Sequence, residues 1–284
     1  MATLLKGKPV VDHMAIDLRN RIEALKSRGV EPTLALVRMG ERPDDLSYER
    51  TAKKRAASLG LSTKPYVLDD LAPQAAVQAT LQSINYDKTV HGCLMFRPLL
   101  SFLDEKALCN MLSPEKDIDG ISLASLASVF TDSSDGFPPC TAQACVEILD
   151  FYKIPLVGKH VVVIGRSLVV GKPVSMMLLR RNASVTICHS RTENLPELCR
   201  TADIVICAVG RAHAFGKEYF RVGQTVLDVG INFDSRGTLC GDVNFDEVEP
   251  VVDAITPVPG GIGTVTTSVT MAHVVDAAEK MTGR

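Results

Sequence analysis

The chain has 284 residues, with 31 Lys and Arg against 33 Asp and Glu, so its formal net charge at pH 7 is −2; at ~150 residues per domain this length predicts roughly two domains with a sizeable core. The near-neutral balance excludes the basic footprint that nucleic acid or an anionic membrane would need as main partner. The absence of Trp, with aromatics at 5%, weakens a single-strand nucleic-acid reading, which would want stacking platforms.

From the amino terminus, Val10 to Leu25 repeats apolar residues at helical spacing. Thr33 to Val37 is a short apolar run that reads as a buried strand, and Ser47 to Leu59 as a helix closed by Gly60. Lys64 to Leu68 predicts a strand, Pro73 to Ile84 a helix, Gly92 to Met95 a strand and Asp104 to Leu112 a helix. Strands separated by helices of this length imply βαβ units and a parallel sheet. The turn-rich stretch Ser133 to Pro139 marks a boundary. Beyond it, the strand Val161 to Ile164 leads to Gly165, then to Gly171-Lys-Pro173 and a helix whose first turn suits Pro173. Strands at Ser184–Cys188, Ile204–Val209 and Thr225–Val229 continue the rhythm of a doubly wound, nucleotide-binding unit. The predicted fold class is α/β, with two α/β domains and a cleft between them.

Eight cysteines are scattered without a CxxC pair, and Cys93, Cys109, Cys188 and Cys207 sit in apolar runs where a thiol acts as a small core hydrophobe. This spacing argues against a metal site. The opening MATLLKGKPVV turns polar too soon for a leader, and no stretch reaches the ~20 apolar residues of a membrane span. A reduced, cytoplasmic protein is expected.

Four places carry candidate chemistry. At Gly165 a strand, a glycine turn and a helix N-terminus would present N–H groups and a positive dipole end to a phosphate. The spacing Gly165-Arg-Ser-Leu-Val-Val-Gly171 is not the GxGxxG fingerprint, however, and alone it is equally an ordinary βα turn. After the next strand, where an NAD-preferring fold places a carboxylate for the ribose 2′-hydroxyl, this chain has His189-Ser-Arg-Thr192. Ser190 and Arg191, with Arg166 as a second cation, suit a 2′-phosphate, so the sequence leans towards NADP over NAD; a solvated loop is the plainer reading of Arg191. Asp117 and Asp119 flank Ile118 and would point the same way in an extended segment, or belong to a turn before Gly120. Thr256-Pro-Val-Pro-Gly-Gly-Ile-Gly263 permits close backbone approach to a ligand, or forms a rigid turn.

Tyr48, KDIDG, PPCT, GRSLVVGKP, HSRT, DVGIN, GDV and TPVPGGIG, in that order, resemble the methylenetetrahydrofolate dehydrogenase/cyclohydrolase family over nearly the whole chain. The resemblance implies a folate-binding amino-terminal domain over 1–139, joined by the last helix (265–284), and a Rossmann-like domain over 140–264. It implies homodimers, a folate substrate in the cleft, and a nicotinamide reaching it from the second domain. By the same resemblance Tyr48 packs on the aminobenzoate ring and Asp119 hydrogen-bonds the pterin, the two forming the catalytic pair. Gly165, Arg166 and Ser167 match the cofactor phosphate loop, Ser190 and Arg191 the adenosine ribose contacts, and Ile231 the nicotinamide end. Pro257, Gly260 and Gly261 match the turn where folate and nicotinamide meet.

Some positions depart from the family. The bifunctional enzymes resembled carry a lysine four residues after the tyrosine, where this chain has Ala52, and a glutamine where it has Phe96. Lys53 and Lys54 lie ~100° and ~200° round the helix from the required direction. Leu100, Phe102, Thr264 and Val265 also replace usual residues. Hydrolysis of a methenyl bridge needs proton transfer, worth ~10²–10⁴-fold, whereas hydride departure from a methylene bridge needs chiefly alignment. The expected function is therefore an NADP-dependent methylenetetrahydrofolate dehydrogenase with weak or absent cyclohydrolase activity. The alternatives are a bifunctional enzyme with a substitute proton-transfer group and a non-catalytic folate-binding paralogue.

Overall fold

The computed structural model describes residues 1–283. The elements, in chain order, are β1 (Thr3–Leu4), α1 (Gly7–Lys26), β2 (Thr33–Met39), α2 (Pro43–Leu59), β3 (Ser62–Leu68), α3 (Gln74–Tyr86), β4 (Gly92–Met95), α4 (Glu105–Cys109), α5 (Leu123–Thr131), α6 (Cys140–Phe151), β5 (His160–Ile164), α7 (Gly171–Arg180), β6 (Ser184–Cys188), α8 (Leu195–Thr201), β7 (Ile204–Cys207), β8 (Thr225–Asp228), β9 (Asn232–Phe233), β10 (Leu239–Cys240), α9 (Phe245–Val248), β11 (Ala254–Ile255) and α10 (Ile262–Met281).

Two compact units emerge. His13–Cys140 joins the segment from Thr267 onward, and Met1–Asp12 joins Thr141–Thr266. The first twelve residues, expected in the amino-terminal domain, thus group with the other one. The reason is a strand too short to read: Thr3 and Leu4 pair in parallel with Ala254 and Ile255.

The unit holding His13–Cys140 is built on a parallel sheet of order β3-β2-β4. Alternation along β2 covers both faces, as a buried parallel sheet requires. Leu34 and Leu36 enter one apolar cluster with Leu18 and Ile22 of α1, Ala52 and Ala56 of α2, and Met271 and Val274 of α10. Ala35, Val37 and Met39 enter another with Val77 and Leu81 of α3 and Leu108 of α4. Arg21 ties α1 to α10 through Glu279, at 2.7 Å, and Asp276. The helix ending at Leu59 stops as expected: Gly60 is left-handed, with its N–H on Ala56 and Ala57 carbonyls.

The other unit carries a six-stranded, all-parallel sheet of order β1-β11-β8-β7-β5-β6. Val162, Ile164, Val205, Cys207 and Val226 enter one apolar cluster with Cys199, Phe215 and Phe220. All eight cysteines are buried thiols, including the four expected in the core.

Candidate active site

Within the first unit, Tyr48 rises from α2 and stays 37% exposed. Its ring meets that of Phe96, at the end of β4, edge to face with centroids 5.7 Å apart. Phe96 and Ala52 are both buried in one apolar cluster, so an aromatic ring and a methyl stand where the resemblance leads one to expect glutamine and lysine. Neighbouring Lys53 offers no replacement: Glu49 holds its ammonium while also taking Arg38 at 2.6 Å.

The two aspartates do not act as a parallel pair. Residues 114–119 turn rather than extend, and Asp117 is fully buried, accepting the Ile121 and Ser122 N–H groups at 3.0 and 2.8 Å. Those bonds make it a scaffold. Asp119 is a quarter exposed and faces Arg97, whose guanidinium lies 3.8 Å from Oδ2 and which has Glu105 3.5 Å away on another side. Burial pushes the Asp119 carboxyl up to about 6, opposed by Arg97 and by the neighbouring Cys140 thiol. Burial, and then the Asp119 charge, raise the Tyr48 phenol, which keeps it protonated.

Behind Asp119 lies a buried polar cluster. The Ile118 carbonyl accepts from His273 Nδ1 at 2.8 Å and from the Cys140 thiol at 3.2 Å, and the Thr270 hydroxyl donates to Cys140 at 3.4 Å. Desolvation holds His273 in its neutral form. The bond to Ile118 assigns the proton to Nδ1. This cluster and Arg97 escaped the sequence reading. The available signal was Arg97 itself, a charge leaving the apolar strand β4 at its carboxyl end, where α/β sheets place ligands.

In the second unit, Gly165, Arg166, Ser167 and Ser190 line one cavity of about 570 Å³ with His189, Arg211 and Phe215, a size suited to a small-molecule site. Gly165 has a φ of +136°, and a Cβ there would overlap the Ala208 carbonyl oxygen, so the strand-to-helix turn requires glycine. The Ser167 hydroxyl accepts the Val170 N–H at 3.1 Å, closing the loop before α7. Arg191 is exposed and stands next to the lining, its N–H on His189 Nδ1 at 3.1 Å. Among the described residues no carboxylate lines the cavity, and three arginines lie in or beside it. Arg211 was not anticipated, because nothing in its local pattern marks it.

Ile231, Pro257, Gly260 and Gly261 line a different cavity, of about 240 Å³, with Asp228 and Thr264. The glycines of this turn serve the chain first: a Cβ on Gly261 would overlap the Pro257 carbonyl, and the Gly260 carbonyl accepts the Gly7 N–H at 2.8 Å.

Two buried carboxylates order the loops at both cavities. Asp228 accepts N–H groups of Gly230, Asp242 and Val243 at 2.9–3.0 Å. Asp242 accepts those of Val209, Gly210 and Arg211, and the Asn232 amide, at 2.6–3.1 Å. The DVGIN and GDV runs therefore act as loop pins. Asp242→Ala strands four donors, each costing ~1–3 kcal/mol when buried, less where water reaches them. It should lower unfolding free energy by about 3 kcal/mol in urea titration, whereas a loss under ~1 kcal/mol would show that the loops hold without it.

The architecture is that of a two-domain α/β protein, and both cavities lie in its six-stranded, doubly wound unit, the class of fold that binds dinucleotides. Residues 5–119 match the tetrahydrofolate dehydrogenase/cyclohydrolase catalytic domain, and residues 139–282 match the NAD(P)-binding domain of the same proteins. The chain belongs to the tetrahydrofolate dehydrogenase/cyclohydrolase family. It is 50% identical to Bifunctional protein FolD of Carboxydothermus hydrogenoformans, over 100% of this chain and 99% of the relative. The solved structure of the bifunctional FolD methylenetetrahydrofolate dehydrogenase/cyclohydrolase from Campylobacter jejuni superposes with a TM-score of 0.95 at 33% identity, covering 99% of each chain. That of the Trypanosoma brucei methylenetetrahydrofolate dehydrogenase-cyclohydrolase, complexed with NADP and an inhibitor, superposes at 0.92 and 30% identity, covering 100% of this chain and 99% of the other.

Proposed function

We propose that this protein oxidises 5,10-methylenetetrahydrofolate to the methenyl compound with NADP and also hydrolyses the methenyl product. The observation that carries the proposal is the full-length match, at 50% identity, to a bifunctional FolD protein. It favours two activities over the dehydrogenase with little hydrolysis that Ala52 and Phe96 alone suggest. The cofactor preference rests on Arg166, Ser190 and the nearby Arg191, with no carboxylate in the cavity, a fit to a 2′-phosphate.

In this reading Tyr48 offers its ring face to the aminobenzoate, and its protonated phenol makes no base. Asp119 accepts hydrogen bonds from the pterin. The Gly165–Ser167 turn and the start of α7 hold the phosphates, while Ile231 and the Pro257–Gly261 turn shape the nicotinamide end. When bound, NADP supplies the hydride acceptor. The protein has no proton to remove in that step, since the folate nitrogens carry the developing cation, and alignment is its contribution. Hydrolysis differs because the attacking water must lose a proton. With no lysine at position 52, that proton leaves through solvent at the open side of the site, where Asp119 and Arg97 each remain 26% exposed.

The test is a spectrophotometric assay of purified protein with methylenetetrahydrofolate, read for reduced nicotinamide and for methenyl absorbance. The expected result is reduction of NADP⁺ faster than of NAD⁺, with methenyl absorbance that rises and then drains. Accumulation without drainage would remove the second activity, and no reduction would remove the first.

A further inference from the structure

Among the described residues, Arg97 is the charged group in the site that neither the family resemblance nor the scaffold accounts for. It follows Phe96 at the exit of β4, and its side chain is only 26% exposed. Its Nε is buried and has no partner among the described residues. Its two acidic neighbours, Glu105 Oε1 at 3.5 Å and Asp119 Oδ2 at 3.8 Å, lie beyond the 2.7–3.2 Å of a good N–H···O bond. Glu105 is also engaged elsewhere, accepting the Leu99 N–H at 2.6 Å through its other oxygen. A guanidinium has five donors in a fixed plane and never becomes a base. Here those donors are held beside a carboxylate yet not taken up by it.

We propose that Arg97 and Asp119 act as a pair that reads the edge of the pterin ring, Asp119 accepting from the 2-amino group and the adjacent ring N–H while Arg97 donates to the 4-oxo oxygen. The proposal rests on the folate reading above and adds a specificity-determining residue to it. A 2-amino-4-oxo pyrimidine edge presents donor, donor, acceptor in a row, and a carboxylate beside a guanidinium presents the complement. The fit is selective because a 4-amino group would bring a donor against a donor, and mismatched polar edges are rejected more strongly than mismatched apolar shapes. Arg97 also explains how a carboxyl that burial and Asp117 push towards its neutral form stays usable as an acceptor: it is the cation facing Asp119.

The test is calorimetric titration of the full chain with tetrahydrofolate and with its 2,4-diamino counterpart, for wild type, Arg97→Gln and Arg97→Lys. Wild type should bind the 4-oxo compound about thirtyfold more tightly than the 4-amino one. Arg97→Gln should weaken 4-oxo binding about tenfold and bring the ratio to within about threefold, as expected for one charged hydrogen bond. Arg97→Lys, which keeps charge and a donor and guards against a folding artefact, should retain part of the ratio. A wild-type ratio preserved in Arg97→Gln overturns the proposal even if overall affinity falls, because a merely structural arginine would weaken both compounds alike. Binding with the expected ratio but no turnover of methylenetetrahydrofolate would defeat the functional reading and leave this one standing. Failure of wild type to bind either compound would defeat both.

Discussion

Asp119→Asn is expected to lower kcat/KM for methylenetetrahydrofolate by about 10²- to 10³-fold while leaving NADP affinity within about twofold of wild type. An amide keeps one acceptor but turns a donor towards a ring edge that offers donors, so one hydrogen bond is lost and another becomes a repulsion. Bonds to a charged acceptor contribute ~1.5–3 kcal/mol each, and two of them reach the stated range. The pH dependence supplies a second readout. The Asp119 carboxyl sits at about 6, and the ionised form is the acceptor, so wild-type kcat/KM should fall as pH drops through about 6 and be level above ~7. The variant should lose that limb. Stability should move differently. A carboxyl whose folded value is raised above its ordinary one is destabilising when ionised, and that penalty grows from about pH 4 and is complete above about pH 6. Asp119→Asn should therefore melt no lower than wild type at pH 7.5, where Glu105 still accompanies Arg97. A melting point that fell with activity would assign Asp119 a structural part and remove it from the pterin.

Gly165→Ala is expected to weaken NADP binding at least ~10²-fold. The positive φ and the overlap of any Cβ with the Ala208 carbonyl act together, so the turn between β5 and α7 must shift rather than adjust one side chain. The Arg166 and Ser167 backbone then leaves the position from which, in the proposed reading, it and the α7 N-terminus would hold a phosphate. Stability should drop by roughly 2–4 kcal/mol, the range of strain at a special backbone position. Calorimetry with NADP⁺, beside a urea titration, separates the two effects. Affinity within threefold of wild type would mean that the loop does not cradle the phosphates.

Much of this was legible in the sequence, for identifiable reasons. The strands β2, β4 and β5 are apolar runs because both faces of a parallel sheet are covered, and α2 ends at a clear cap, Gly60. The two-residue strands β1, β9, β10 and β11 have too few residues to show any period, so the pairing that moves the amino terminus into the other unit could not be read. The helices α5 and α6 also passed unnoticed, the first beginning at Leu123 beyond the KDIDG run and the second at Cys140 directly after a proline pair. Among site residues, Gly165, Arg166, Ser167 and Ser190 were marked by motif and do line one cavity. Ile231 proved to share a second cavity with the Pro257–Gly261 turn. Asp117 and Asp119 looked alike by alternation. Only the three-dimensional turn shows that one is consumed by backbone N–H groups while the other stays partly exposed beside Arg97. Arg97 carried one signal, a charge at the carboxyl end of β4, but its neighbour Asp119 is twenty-two positions away and no local spacing links the two.

The grouping of Met1–Asp12 with Thr141–Thr266, and of His13–Cys140 with the segment from Thr267 onward, has a consequence for biosynthesis. During translation the three-stranded sheet emerges well before Met271, Val274 and Val275, which complete its apolar cluster. The six-stranded sheet likewise waits on Thr3 and Leu4, its earliest strand, until Ala254 and Ile255 arrive. Each unit therefore needs segments from both sides of residue 140, and the sheet β3-β2-β4 keeps an incomplete apolar surface until α10 is made. A contiguous fragment cut near residue 140 is accordingly expected to be poorly soluble, and the two halves to recover folding only when produced together.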